Sequence, residues 1–265
     1  SIIFFLLFYF KFIFFLILTF FSELFEKQGL RVLMYHKFSE TETDYLTTSA
    51  AQFDEQLAWL QAQKYNFVTM QDVLSSLEGQ IKLPSKAILL TFDDAYASQL
   101  DIGAPILQKY GVSATIFVAT SYLGNVSSWD IDQAAPILSA ATLRTLDASI
   151  FSLALHTHRH ASFGSLTTDE MEAEIKDNIA IFRKESIDFL PVFAYPFGAR
   201  PKKKELQQAM FSILTTYGVK LAFRIGNRIN GNQRAKNRFE MQRLDIRGNE
   251  TMKHFKRKIK FGKIF

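Results

Sequence analysis

The chain has 265 residues, of which 48% are hydrophobic and 22% charged, so it has enough apolar sequence for one large folded domain and too much for a disordered chain. It has no cysteine, which excludes disulfide scaffolds, thiol nucleophiles and iron–sulfur clusters, and any metal ion must therefore be bound by His, Asp or Glu. The formal net charge is +5, but seven of the 31 basic residues lie in the two terminal segments and the remaining 24 stand against 26 acidic residues, so nucleic-acid binding is not expected.

The first segment is strongly apolar: residues 2–21 are interrupted only by Lys11 and Thr19. A helix of that length matches a hydrocarbon core of about 30 Å, with Lys11 costing about 3 kcal/mol at its centre. Alternatively, residues 12–21 are the apolar part of an export signal, or the segment is a buried helix of the fold. Because no small-x-small cleavage sequence follows, we expect residues 1–25 to form an uncleaved membrane helix. The rest of the chain is then extracytoplasmic, or secreted if the segment is cleaved.

From residue 30 onward, short apolar runs typical of buried strands alternate with helical patterns. The pattern predicts a parallel α/β barrel or a doubly wound sheet in one domain, residues 26–252. Residues 253–265 follow as a basic tail with no acidic residue, which either contacts anionic lipid or wall polymer or only solubilises the end of the chain. The predicted strands are residues 31–36, 67–70, 87–92, 114–118, 150–155, 192–195 and 221–223, and the predicted helices are residues 51–63, 71–77, 103–110, 168–184 and 204–216.

Two polar clusters directly follow predicted strands, where sites form in α/β proteins. Asp93 and Asp94 follow residues 87–92, and His156, His158 and His160 follow residues 150–155. Two histidines four residues apart can bind one metal ion if the segment turns helically, and an aspartate completes a catalytic three-ligand site. The second aspartate is then free to act as a base. The alternatives are that one aspartate only caps a helix and that the histidines are only a surface cluster. Each is plausible for its own motif, but it is much less favoured that both hold in the same chain.

Three motifs occur in order along the chain: residues 91–94 (TFDD), 156–160 (HTHRH) and 195–198 (YPFG). They resemble the first three motifs of the polysaccharide deacetylases (carbohydrate esterase family 4), and the resemblance covers about residues 30–245. It implies a distorted (β/α) barrel, preceded here by the membrane helix. It also implies that Asp93 is the catalytic base and that Asp94, His156 and His160 bind Zn²⁺ or another divalent ion such as Co²⁺, Ni²⁺ or Fe²⁺.

The third motif implies a substrate-contacting segment, formed by Tyr195, Pro196 and Phe197, in which a backbone N–H near Phe197 helps to hold the oxyanion. His158 has no metal role in this pattern. Trp129 and Asp130 resemble the family segment that walls the site, although a plain structural turn explains them nearly as well.

The positions at which this chain departs from the family pattern indicate which subgroup of the family it resembles. Ala95 stands where the first motif usually continues to glycine, Phe193 where many members have an arginine that holds the base, and the late Leu-x-His motif is missing. These features and the early residues 34–36 (MYH) look more like the poly-β-1,6-N-acetylglucosamine deacetylases of biofilm systems. In that subgroup the early histidine lies at the active site, which makes His36 the candidate general acid, with a purely structural histidine as the alternative.

The predicted function is metal-dependent removal of N-acetyl groups from N-acetylglucosamine units of an extracellular polysaccharide, with poly-β-1,6-N-acetylglucosamine favoured. A peptidoglycan or chitin-oligomer deacetylase is the alternative within enzymes. A metal-containing glycan-binding protein without turnover is the alternative of another class, and an aspartate free to act as a base argues against it.

Overall fold

The computed structural model describes residues 26–129, 133–231 and 238–263, and these residues contain ten strands and seven α-helices. The strands are β1 (Arg31–Tyr35), β2 (Lys37–Ser39), β3 (Thr47–Ser49), β4 (Asn66–Phe67), β5 (Ala87–Asp93), β6 (Ala114–Val118), β7 (Phe151–Leu155), β8 (Val192–Ala194), β9 (Leu221–Ile225) and β10 (Met241–Asp245). The helices are α1 (Ala50–Ala62), α2 (Met70–Leu77), α3 (Ala104–Tyr110), α4 (Ala140–Arg144), α5 (Thr168–Lys184), α6 (Lys204–Thr216) and α7 (Met252–Phe261).

Seven parallel strands close into a barrel in the order β1-β5-β6-β7-β8-β9-β10, because β1 pairs with both β5 and β10. The short β4 pairs with the first two residues of β5, and β2 and β3 form a separate parallel pair. This closure confirms the predicted (β/α) barrel over the doubly wound sheet. One strand fewer than the usual eight accounts for its distorted character.

Alternation along the strands separates two cores. One set of side chains, such as Leu33, Ile88 and Phe92, packs outward against the helices. The other set, such as Val32, Leu89 and Phe223, packs inside the barrel. Asp93 belongs to the inward alternation of β5, and this places its carboxylate at the mouth of the barrel.

Local sequence signals set the helix starts. Ser49, Thr69 and Thr167 each form a capping box at the start of α1, α2 and α5, which satisfies amide groups that the first helical turn leaves unpaired. The predicted bounds of α5 and α6 agree with the structure.

Two of the predictions concern the ends of the chain, a membrane helix at the start and a basic tail at the end. No helix in the described part of the chain is both long and apolar enough to span a bilayer. The predicted membrane helix, residues 1–25, lies outside the described residues. Most of the residues predicted as a basic tail form α7, which buries Phe255 and Ile259 against the barrel domain.

Candidate active site

The carboxyl ends of β1, β5, β7 and β10 open into one cleft of about 530 Å³. Parallel strands bring these ends to the same edge of the barrel, so residues far apart in sequence meet there. The cleft is lined by Met34, His36, Tyr45, Leu46, Asp93, Asp94, Trp129, Gln133, His156, His160, Phe197, Ile225 and Asp245.

Asp94, His156 and His160 form a buried group in which one donor atom of each lies within 4.8 Å of the others. Asp94 Oδ1 is 3.4 Å from His156 Nε2 and 3.2 Å from His160 Nε2. His156 Nδ1 lies 2.8 Å from the carbonyl oxygen of Ala194, to which it must donate, so Nε2 is the atom left to face the group.

These three residues fit a divalent cation. Asp94 Oδ1 is buried without a hydrogen-bond partner in the described part of the chain, a costly state that a cation relieves. Two imidazoles and one carboxylate are a donor set typical of catalytic metal sites, which keep further positions open. The metal triad predicted from the sequence is therefore brought together by the fold.

The backbone around the triad is unusual. Asp94, Ala95, Thr157 and His160 all have positive φ, at 74°, 57°, 66° and 55°. Non-glycine residues adopt this conformation at an energetic cost, and such strain concentrates at functional sites. The left-handed conformation at Ala95 also explains why glycine is common at that place.

His156 and His160 meet without the helical turn after β7 that the sequence analysis named as the condition for a shared metal ion. Residues 156–160 form an irregular loop, and its two left-handed residues direct His156 and His160 to the same point.

Helix α5 holds this histidine loop through two buried side chains that sequence reasoning missed. Glu174 accepts hydrogen bonds from the backbone N–H groups of His158 and Arg159, at 2.9 and 2.8 Å. Asn178, one turn later, accepts from the N–H of His156 and donates to the carbonyl of Val118. A polar pair four residues apart on the apolar face of the helix was the available signal.

Asp93 is held by a further residue that the sequence analysis missed. Arg243, on β10, donates to Asp93 Oδ1 at 2.5 Å and to Oδ2 at 2.6 Å, and both side chains are buried. This two-fold hydrogen bond fixes the plane of the carboxylate as well as its charge. Phe193, where the family pattern places an arginine, lies in the outer core instead.

Electrostatics keep both aspartates ionised. Burial raises the pKa of Asp93, but the charges of Arg243 and His156 outweigh it, so this pKa lies below its ordinary value. Burial also acts on Asp94, where His160 and His156 hold the pKa well below its ordinary range. Burial lowers the pKa of His156, yet Asp93 and Asp94 raise it above its usual value, so a proton competes with a cation for this imidazole.

His36 also lies beside Asp93. Its Nε2 is 3.9 Å from Asp93 Oδ2, the same distance that separates this oxygen from His156 Nε2. Gln99 fixes the relative position of the two residues, because its side-chain amide donates to the backbone carbonyls of both His36 and Asp93. The structure therefore places His36 beside the candidate base and at the edge of the cleft.

The sequence profile of the polysaccharide deacetylase family matches residues 80–212, half of the chain. The chain belongs to this family. YxkH of Bacillus subtilis (strain 168), which its name places among the polysaccharide deacetylases, is 26% identical over 169 residues, 64% of this chain and 57% of YxkH.

A poly-beta-1,6-N-acetyl-D-glucosamine N-deacetylase of Staphylococcus aureus (strain MSSA476) is 26% identical over 130 residues, which cover 49% of this chain and 43% of the relative. The chain thus matches about half of the length of these relatives. Among solved structures, IcaB from Ammonifex degensii superposes with a TM-score of 0.72 at 23% identity, covering 88% of this chain and 97% of that one. This likeness supports the barrel fold.

The third deacetylase motif is only partly exposed to the cleft. Tyr195 and Pro196 are buried, and the Tyr195 hydroxyl donates to the carbonyl of Phe239, so their predicted contact with substrate needs correction. Phe197 is 61% exposed and has a positive φ of 58°, and its ring lies 4.7 Å from that of His160.

Trp129 stacks on the ring of His160, with ring centroids 4.2 Å apart, and it lines the cleft. Asp130, its predicted companion, lies outside the described residues. Trp129 and Phe197 thus both pack against the ring of one metal-ligand candidate, His160.

Proposed function

We propose that this chain is a metal-dependent N-deacetylase that releases acetate from N-acetylglucosamine units of a polysaccharide. The observation that carries the proposal is the position of Asp93. This ionised carboxylate lies beside a metal-binding triad, takes no part in it, and is oriented by Arg243. A site that only binds metal has no need of such a base.

We propose Zn²⁺ as the native ion, with Co²⁺, Ni²⁺ and Fe²⁺ as alternatives that the same donors accept. Asp94, His156 and His160 would hold it. A divalent cation there supplies Lewis-acid chemistry, which polarises an acetamide carbonyl and makes water more acidic.

Asp93 acts as the general base. Its Oδ2 takes a proton from the attacking water, whose oxygen forms a bond to the acetyl carbon. The low pKa of Asp93 keeps this oxygen unprotonated and able to accept. The backbone N–H of Phe197 is the proposed donor to the oxyanion, because this exposed turn borders the triad.

His36 acts as the general acid. When the carbon–nitrogen bond breaks, the amine nitrogen takes a proton from the His36 imidazole, and the products are acetate and a glucosamine unit. The 3.9 Å between His36 Nε2 and Asp93 Oδ2 supports this role, because acid and base must flank the same reacting group.

The favoured substrate is poly-β-1,6-N-acetylglucosamine, and chitin oligomers and peptidoglycan are the alternatives. The Staphylococcus aureus relative that is named for this polymer supports the choice. The cleft also suits a polymer, because the exposed Phe197 and the partly exposed Trp129 offer apolar ring faces for sugars.

We further propose that the catalytic domain lies outside the cytoplasmic membrane, anchored by residues 1–25 or secreted if they are cleaved. The apolar sequence of residues 2–21 supports this location. N-terminal sequencing of the membrane fraction and the culture medium distinguishes the two forms.

The test is acetate release by the zinc-loaded full chain from the three polymers side by side. We expect release from one of them, and loss of at least about a hundredfold in kcat in Asp93→Asn because the base is absent. Asp177→Asn, an exposed change on α5, is the matched control and should keep full activity.

The metal content of each variant completes the experiment. Asp93→Asn should still bind one ion per chain, because Asp93 is not part of the triad. Undiminished turnover in this variant would remove Asp93 as the base. No acetate from any polymer, despite one bound metal per chain, would favour a glycan-binding protein.

A further inference from the structure

Helix α7 presents a basic face that the proposed reaction does not use. Lys253, Lys256, Arg257 and Lys260 recur at the spacing of one helix face, and no acidic residue occurs in residues 251–263. The opposite side of the helix is fixed to the domain by buried Phe255, which packs against Trp59 of α1.

This basic face is not neutralised by the protein. Lys258, on the buried side, pairs with Glu250. Lys256 lies over the ring of Trp59. Within the described ranges, Lys253, Arg257 and Lys260 have no carboxylate partner, although such partners are common for basic residues on a helix.

The chain enters the barrel domain directly beside this face. The N–H of Lys27 donates to the carbonyl of Lys260 at 3.1 Å, and Arg31 Nε donates to the carbonyl of Ile259 at 2.8 Å. Arg31 also pairs with Glu26, the first described residue, in a buried salt bridge of 2.9 Å. The point at which residues 1–25 join the domain is thereby fixed next to α7.

We propose that the basic face of α7 binds the headgroups of anionic lipids and docks this flank of the barrel on the membrane surface. Clustered basic residues beside an apolar segment are attracted to anionic bilayers, with a gain on the order of fivefold in binding per residue near the surface. The apolar sequence of residues 2–21 favours a lipid bilayer over a wall polymer as the partner.

This docking leaves the cleft free and gives the domain a defined orientation. No residue of α7 lines the cleft. Helix α5 follows β7, which is three strands from β10 around the closed barrel, so α5 lies on the far flank. Docking through α7 therefore brings α7 close to the lipid surface and keeps α5 away from it.

Orientation can be measured directly, because a chain without cysteine accepts a single engineered label. The exposed residues His254 on α7 and Ala180 on α5 are suitable positions. Full-length His254→Cys and Ala180→Cys carry a donor dye and are reconstituted into vesicles with acceptor-labelled headgroups. In phosphatidylglycerol vesicles at low salt, energy transfer should be higher from residue 254 than from residue 180. High salt or pure phosphatidylcholine should abolish the difference.

A second experiment reverses the charge of the basic face of α7. The triple change Lys253→Glu, Arg257→Glu and Lys260→Glu should weaken docking of the anchored domain on anionic vesicles by roughly a hundredfold and remove the difference between the two labels. Reversal of Lys176, Arg183 and Lys184 on α5 changes the net charge equally and should alter neither. Both variants should keep wild-type acetate release from soluble oligomers, which separates this inference from the deacetylase proposal.

Three outcomes would overturn the inference. These are equal transfer from both positions in phosphatidylglycerol vesicles, equal loss of binding in the two triple variants, and binding of soluble teichoic acid through α7 without any response to phosphatidylglycerol. Melting temperatures of both triple variants show whether either change disturbs the fold.

Discussion

At the scale of single residues, Asp93 and Asp94 are neighbours in sequence with different partners. Asp93 ends β5 and is directed to Arg243, whereas the positive φ of Asp94 turns its carboxylate towards His156 and His160. One change of backbone conformation therefore separates the proposed base from a candidate metal ligand. It also relieves the repulsion that two parallel adjacent carboxylates would suffer.

Arg243→Lys tests the orientation of the base. Lysine keeps the positive charge but cannot donate to both oxygens in one plane, so we expect kcat to fall by about a hundredfold. KM should change little, because Arg243 does not line the cleft. Steady-state acetate release measures both, and Arg238→Lys, where the arginine lies over the ring of Phe239, is the control. A wild-type kcat in Arg243→Lys would show that charge alone is sufficient.

At the scale of secondary structure elements, α5 acts as the support of the histidine loop. The loop between β7 and α5 has no regular hydrogen bonding of its own around residues 156–160. Glu174 and Asn178 replace it by accepting hydrogen bonds from three backbone N–H groups, those of His156, His158 and Arg159. The metal geometry thus depends on a helix that contributes no ligand.

Asn178→Ala should weaken zinc binding by about 10- to 100-fold, because it removes a hydrogen bond that positions His156. It should also lower the free energy of unfolding by about 2 kcal/mol, since buried groups lose their partner. Chelator competition gives the zinc affinity and chemical denaturation gives the stability. Asp177→Asn, the exposed neighbour, should change neither. Loss of stability with unchanged zinc affinity would limit Asn178 to a structural role.

At the scale of the whole molecule, barrel closure assembles the site from distant parts of the chain. His36, Asp93, His156 and Arg243 follow or belong to β1, β5, β7 and β10, and β1 pairs with both β5 and β10. The candidate metal ligands come from the ends of β5 and β7, two strands apart. A bound ion therefore ties separate parts of the barrel together and stabilises the native state.

Zinc should raise the melting temperature of the metal-free protein. At a free concentration 100 times the dissociation constant, the gain is about 2.7 kcal/mol, or roughly 5–10 °C. Scanning calorimetry should show this rise in the wild type and in His158→Ala, whose ring contacts Thr120 instead of the triad. His160→Ala should show almost none. An equal rise in both variants would contradict the proposed ligand set.

The amino-acid sequence by itself determined the elements whose signals are local. Apolar runs and helical periodicity, with N-terminal capping residues, were sufficient for β6, α5 and α6, because each depends on residues within a few turns. The same local patterns located Asp93, Asp94, His156 and His160 after buried strands, and the family resemblance then implied which aspartate is the base.

The features that depend on contacts between distant parts of the chain were decided only by the tertiary structure. Strand β10 was missed because its sequence, MQRLD, is polar, and its Arg243 and Asp245 are buried only once the barrel closes. The partner of Asp93 therefore comes from 150 residues away, not from position 193. The left-handed turns at Thr157 and His160, and the burial of Tyr195, likewise depend on packing against other elements. Sequence patterns report local preference, whereas pairing between distant segments appears only when the chain is folded.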